Sequence, residues 1–189
     1  MNRFVLAALL VAGMTAPLLA ADHLQQSKKL MLKSSPSGKQ KFEWLTRMPS
    51  PPLPTDNPAT VGATVEIRNT STGTSDVFTM PLGSDWSANG ANTLYKFKNK
   101  SAPMGDSEIK LALIKGGKLI KISGRSTGTI LGDASPREIA VILTIGTGTD
   151  RYCGGCATSR RDDQSSFEAK DCPAPSACGS ASPSGAFLD

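Results

Sequence analysis

Histidine is nearly absent from this chain, with His23 its only copy. Ser-His-Asp and Cys-His catalysis and histidine-based metal sites therefore have no material to be built from. Aromatic residues make up 5% of the sequence. Nucleic-acid modules usually combine a dense basic patch with stacking aromatics, so no nucleic acid is expected as a partner. No cysteine precedes Cys153. Beyond the first twenty residues no apolar run approaches the roughly 20 residues of a membrane span. Heptads, internal repeats and helical spacing are also missing, and no phosphate-loop pattern stands out. Gly146-Thr147-Gly148 lacks the lysine and the following helix that such a loop needs. No cofactor is implied.

The N-terminus has the order of an export signal. Arg3 supplies the charge, residues 4–12 are apolar, Pro17 breaks the run, and Ala20 and Ala21 are small. Residues 1–20 are read as a signal cut after Ala20, although Leu18 is large for the position three before the cut. Thr15 and Pro17 interrupt the apolar stretch, which argues for a cleaved signal over a retained anchor. The mature chain is then expected to be secreted or periplasmic, with no transmembrane segment. His23 lies beside the cut and reads as a solvated terminal residue.

The formal net charge is +5, and removing the signal takes Arg3 away. The lysines are spread along strands and hairpin ends. They read as a solvated sheet face rather than a polyanion site.

What the chain does have is period-two alternation. Residues 29–33 and 41–46 read as strands, the second with Phe42 and Trp44 on one face. Residues 48–60 form a proline-rich crossing or linker, because proline lacks an amide donor and restricts the residue before it. Strands follow at 63–68, with Val65 and Ile67 inward, and at 76–80, with Phe78 and Met80 inward. A short helical turn is expected around Asp85-Trp86, then a strand at 93–98. Residues 109–115 and 118–123 flank Gly116-Gly117. Read as a two-residue hairpin loop, this pairs Leu113 with Ile120 and Leu111 with Ile122 on one face. A short strand is placed at Thr129-Ile130-Leu131, the most apolar strand at 139–145 and the last strand at 167–170. The expected fold is all-β: an antiparallel β-sandwich with a disulfide-stapled C-terminal segment. One domain covers residues 21–178, followed by a disordered tail at 179–189.

The four cysteines, Cys153, Cys156, Cys172 and Cys178, admit three chemistries. Export makes structural disulfides the default. One pairing joins Cys153 to Cys156 and Cys172 to Cys178. The nested pairing, Cys153 with Cys178 and Cys156 with Cys172, is preferred. It suits an antiparallel return of the tail, and loops of about 15–25 residues are each worth roughly 3 kcal/mol in the chain-entropy model. A zinc site fits the first cysteine pair, but the second spacing is wider than a knuckle. A thiol redox centre needs a helix start, for which Gly154-Gly155 is poor.

Several stretches together resemble a β-rich domain that recurs in exported bacterial proteins of myxobacteria-like secretomes. They are Lys29-Leu30-Met31-Leu32-Lys33, residues 57–63, Met80-Pro81-Leu82 with Trp86, and Tyr95-Lys96-Phe97-Lys98. Residues 119–124, Arg151-Tyr152-Cys153, and Lys170-Asp171-Cys172 on to Cys178 complete the set. The resemblance covers most of the mature chain. It implies a recurring pair corresponding to Cys153 and Cys178, which supports nesting, while Cys156 and Cys172 are a departure. It brings no activity and no catalytic residue.

Other candidates are few. Asp162-Asp163 follows Arg160-Arg161 and reads as a solvated charge cluster rather than a glycosidase pair. Trp86 is the best exposed candidate for stacking on a sugar ring, with burial as a loop anchor the plainer alternative. The reading reached is a non-catalytic structural or interaction module, with a cell surface or polysaccharide as candidate partner. Its alternatives are a carbohydrate-binding module using Trp86 and a redox or zinc protein using the cysteines.

Overall fold

The structure is a computed structural model that describes residues 20–35, 39–99, 108–126, 130–148 and 150–183. The signal segment 1–19, Thr129 and residues 184–189 lie outside the described residues.

In chain order the strands begin with β1 (Ala21–Leu24), β2 (Gln26–Ser34), β3 (Gln40–Met48), β4 (Ala63–Asn69), β5 (Ser75–Met80), β6 (Trp86–Ala88) and β7 (Leu94–Lys98). They continue with β8 (Glu108–Lys115), β9 (Leu119–Ser126), β10 (Ile139–Ile145), β11 (Asp150–Cys156), β12 (Arg161–Asp163) and β13 (Ser166–Cys172). Two sheets result. One has five strands in the order β1-β11-β10-β4-β5, the other eight in the order β12-β13-β2-β3-β9-β8-β7-β6. All pairings are antiparallel except β1 with β11. Alternation explains the layering. Leu30, Leu32, Phe42, Trp44, Ile120 and Ile122 from one sheet and Val65, Ile67, Val141, Leu143 and Tyr152 from the other meet in one buried cluster. The expected all-β sandwich is what forms.

The proline-rich crossing carries the chain from β3 in the larger sheet to β4 in the smaller, and it is fastened to both. The Gly117 N–H donates to the Pro51 carbonyl at 2.9 Å. The Tyr152 hydroxyl donates to the Pro52 carbonyl at 3.0 Å. The Thr55 N–H donates to Asp150 Oδ2 at 2.6 Å. The crossing ends in one helical turn, α1 (Pro58–Val61), rather than staying extended. Its sequence supplies both stops. Asn57 Oδ1 accepts the Ala59 N–H at 2.9 Å, and Gly62 takes φ of +75° past the end.

Local departures from the sequence reading each have a physical cause. The β8–β9 loop holds three residues, not two. The Lys118 N–H closes a turn onto the Lys115 carbonyl at 3.1 Å, and Gly117 takes φ of +69° within it. That single residue shifts the register, so Ile114 faces Ile120 and Ala112 faces Ile122. Leu111 and Leu113 turn to the outer face, where they are half-buried. A bulge between Ile109 and Leu111 breaks the alternation and keeps Ile109 in the core. Asp85-Trp86 leads into strand β6 instead of a helical turn. Ile130 opens a 3-10 turn, Ile130–Gly132, with Ile130 and Leu131 buried. The polar pair Asp162-Asp163 lies in β12, and Gly179 to Pro183 are ordered.

Candidate functional site

The two disulfides are nested: Cys153 with Cys178 and Cys156 with Cys172, with Cα–Cα distances of 5.1 and 5.4 Å. A strand explains why Cys-x-x-Cys does not close on itself. Residues three apart on a strand point to opposite faces. Cys156 faces inward, in the core cluster beside Cys172 of the larger sheet, so its bridge joins the two sheets. Cys153 faces outward and ties down the segment that follows β13. That strap folds back on itself, with the Ser176 N–H donating to the Ser182 carbonyl at 2.9 Å and a bridge between Pro175 and Pro183. Ala181 is buried against Gly155, and Gly179 of the strap lies over Ile142 on the outer side of β10. All four sulfurs are engaged, so in this form they offer no thiolate to a metal or to redox exchange.

Trp86 is 6% exposed. Its indole N–H donates to the Pro81 carbonyl at 3.0 Å, and its ring packs on Phe97 with centroids 5.2 Å apart. The first residue of β6 points inward, so the ring anchors the sheet edge and presents no platform for a sugar.

His23 is ordered rather than solvated. Strand β1 pairs in parallel with β11 and places the imidazole 4.9 Å from the Tyr152 ring, its Nε2 donating to Asp150 Oδ1 at 2.9 Å. With Thr55 on the other oxygen, Asp150 joins β1, β11 and the crossing. Burial alone would raise the Asp150 pKa. The hydrogen bonds from His23 and Thr55 outweigh it and hold the carboxyl below its ordinary value. Burial and the nearby Asp150 charge push the Tyr152 phenol well up.

Asp162 and Asp163 serve different masters. Asp162 Oδ1 receives the Arg137 Nε–H at 2.6 Å, and its Oδ2 receives the Arg137 N–H at 2.7 Å. The Arg137 side chain is wholly buried and also donates to the carbonyls of Leu131, Asp163 and Ser166. Asp163 instead closes the β12–β13 turn through Ser165 and Ser166 and pairs with Arg161. Both carboxylates are committed to structure. A shallow depression beside them, lined by residues 131–135 with Asp163 and Gln164, adds Asp133, which is already engaged by Asn69, Thr72 and Thr74.

The outer face of the larger sheet is different. Register aligns its residues in rows across the strands. One row runs Lys170, Lys29, Leu45, Lys121, Leu113, Lys96. The next runs Glu168, Met31, Glu43, Ser123, Leu111, Lys98, and a third contains Lys33, Lys41, Arg125 and Glu108. At the β13–β2–β3 side the charges are balanced. Glu43 takes Lys29 at 2.6 Å and Lys121 at 3.2 Å, and Glu168 takes Lys33 at 2.6 Å. Burial opposes ionisation of Glu43, but the two lysines hold its pKa down, and Lys33 does the same for Glu168. Toward β7 and β8 the described residues show no such balance. Lys41, Arg125, Lys96, Lys98 and Lys110 make no ion pair among the described residues. Glu108, opposite Arg125, is bonded to Asn99 Nδ2 at 2.9 Å. The sequence showed each lysine on the polar side of its own strand. It could not show that β3, β7, β8 and β9 bring them to one place.

No family model, curated protein or solved structure matches this chain.

Proposed function

We propose that this protein is a non-catalytic interaction module of an oxidising compartment, secreted or periplasmic, whose contact surface is the outer face of the eight-stranded sheet. The observation that carries the reading is the asymmetry between its two outer faces. The smaller sheet is partly covered by a strap bonded to it through Cys153. The larger sheet keeps exposed lysines that make no ion pair among the described residues at one side. Like charges facing one another across strands are destabilising, and Lys41 and Arg125 are direct cross-strand partners. Such an arrangement gains from an outside anion.

Two disulfides support the compartment, since such bonds persist mainly outside reducing cytoplasm. Among the described residues no helix is long and apolar enough to cross a membrane. Kinship with the β-rich domain of exported bacterial proteins remains part of this proposal. A carbohydrate-binding role built on Trp86 loses its platform with that ring buried, so a sugar ligand would have to be recognised through charge.

The test is protection mapping of the full mature chain by hydrogen exchange and lysine labelling, with and without extracellular material from the producing cell. Protection confined to β3, β7, β8 and β9 supports the reading. Protection on the smaller sheet alone removes it.

A further inference from the structure

The unbalanced end of this face forms a groove, and its chemistry narrows the partner. Lys96 and Lys98 of β7, Lys110 and Leu111 of β8 and Ser123 of β9 line a depression of about 340 Å³. It adjoins a second, of about 230 Å³, that shares Lys110 and Ser123 and adds Lys41, Arg125 and Glu43, whose carboxylate is already held by Lys29 and Lys121. The bulge at Ile109/Leu111 interrupts the alternation of β8 and leaves Lys110 exposed, lining both depressions.

We propose that this groove binds a linear acidic polysaccharide, one whose sugars carry carboxylate or sulfate groups. The inference rests on the sheet face being the contact surface. Three features favour this ligand. The cations stand on strands about 4.8 Å apart, so Lys41 of β3 and Lys110 of β8, two strands from each other, present charge at intervals of about 10 Å across the sheet. A polymer with regularly repeated charge matches that spacing, and fixed strands hold it without loop ordering.

The second feature is the lack of aromatic rims. Phe42 lies in the floor at 2% exposed, and Tyr95 and Phe97 of the neighbouring strand point into the core. Single-stranded nucleic acid is held by stacking platforms, which this groove lacks. The third is the placement of the apolar groups. Leu111 and Leu113 are half-buried between lysines rather than protruding, whereas attachment to a lipid surface sinks apolar side chains below the headgroups. What remains is charge with a hydroxyl and short aliphatic stretches, suited to a polar, ring-built polyanion.

The experiment titrates the full mature chain with polygalacturonate at about 0.1 M salt, where exposed charges interact over about 10 Å. Single-stranded DNA, phosphatidylglycerol vesicles and neutral dextran run in parallel. Lys96→Gln/Lys110→Gln changes the groove. Arg68→Gln/Arg151→Gln removes equal charge from the smaller sheet, and circular dichroism checks that both variants fold. Expected is saturable polygalacturonate binding that weakens with salt, falls at least tenfold in the groove variant and changes less than twofold in the control. Groove-dependent binding of DNA or vesicles without polygalacturonate overturns the ligand class while leaving the contact surface standing. Polygalacturonate binding that both variants lose equally, or no groove-dependent binding of any probe, overturns the inference.

Discussion

Gly154 of β11 and Trp44 of β3 touch across the sandwich, so closely that a β-carbon at position 154 would stand 2.7 Å from the indole Cζ2. The same indole donates to the Ser27 hydroxyl at 3.0 Å, which holds the ring in place. Gly155, on the opposite face, leaves room for Ala181 of the strap. The Gly-Gly between the cysteines is thus a packing requirement on both sides of one strand. Gly154→Ala is expected to lower stability by about 1–3 kcal/mol, the usual range for overpacking. Gly155→Ala is expected to loosen the strap with a smaller global effect. Urea denaturation followed by tryptophan fluorescence checks the first, and hydrogen exchange of the Ser176 amide checks the second.

The two disulfides close loops of sequence separation 25 and 16, for which the chain-entropy model gives about 3 kcal/mol each. Their structural effects differ. Cys153→Ala/Cys178→Ala is expected to free the strap while the sheets stay paired, so amide protection falls in residues 176–182 first. Cys156→Ala/Cys172→Ala cuts the link between sheets and is expected to lower protection across β11 and β13 together. Residue-resolved exchange distinguishes the two outcomes.

Arg137 is buried and hydrogen-bonded through its side chain to one carboxylate and three carbonyls. Arg137→Ala strands Asp162 and those carbonyls and is expected to cost about 3–5 kcal/mol. Arg137→Lys should recover little, because an ammonium cannot reproduce the planar fork. Equilibrium denaturation of both variants provides the measurement.

The acid limb of stability should carry an Asp150 signature. Its folded pKa is depressed, so on acidification the unfolded chain takes up the proton first. The contribution is complete above the ordinary aspartate value of about 4 and disappears as pH falls through the lower folded value. Wild type is expected to exceed Asp150→Asn in stability at neutral pH, with the gap closing in acid. Midpoints of urea denaturation measured from pH 7 downward would show it.

Trp86→Ala is expected to destabilise by about 3–5 kcal/mol as a large-to-small change in a buried site. Trp86→Phe should keep much of the contact with Phe97 while losing the bond to Pro81. If the ring were instead a sugar platform, Trp86→Ala would cut ligand affinity and leave the thermal midpoint unchanged. Calorimetry and titration of the same samples separate the alternatives.

Most strands could be read from alternation, because each buries one face whatever its partner is. Register was harder. Gly116-Gly117 suggests a two-residue loop, yet Lys118 joins the turn, and one added residue moved Leu111 and Leu113 from the inside to the outside. The edge strands β1 and β12 are too short to show a period, so His23 and Asp162 passed for solvated residues. The cationic groove depends on β3, β7, β8 and β9 lying side by side, and local pattern carries no record of such pairing. The cysteine pairing was legible because the options were few and the tail had to return along the strands.

The nested linkage also bears on how the molecule meets proteases. A single backbone cut anywhere between Cys153 and Cys178 leaves both pieces covalently attached, because at least one bridge spans the break. Nicking there need not release a fragment, and the chain can be scarred in its final segment without coming apart.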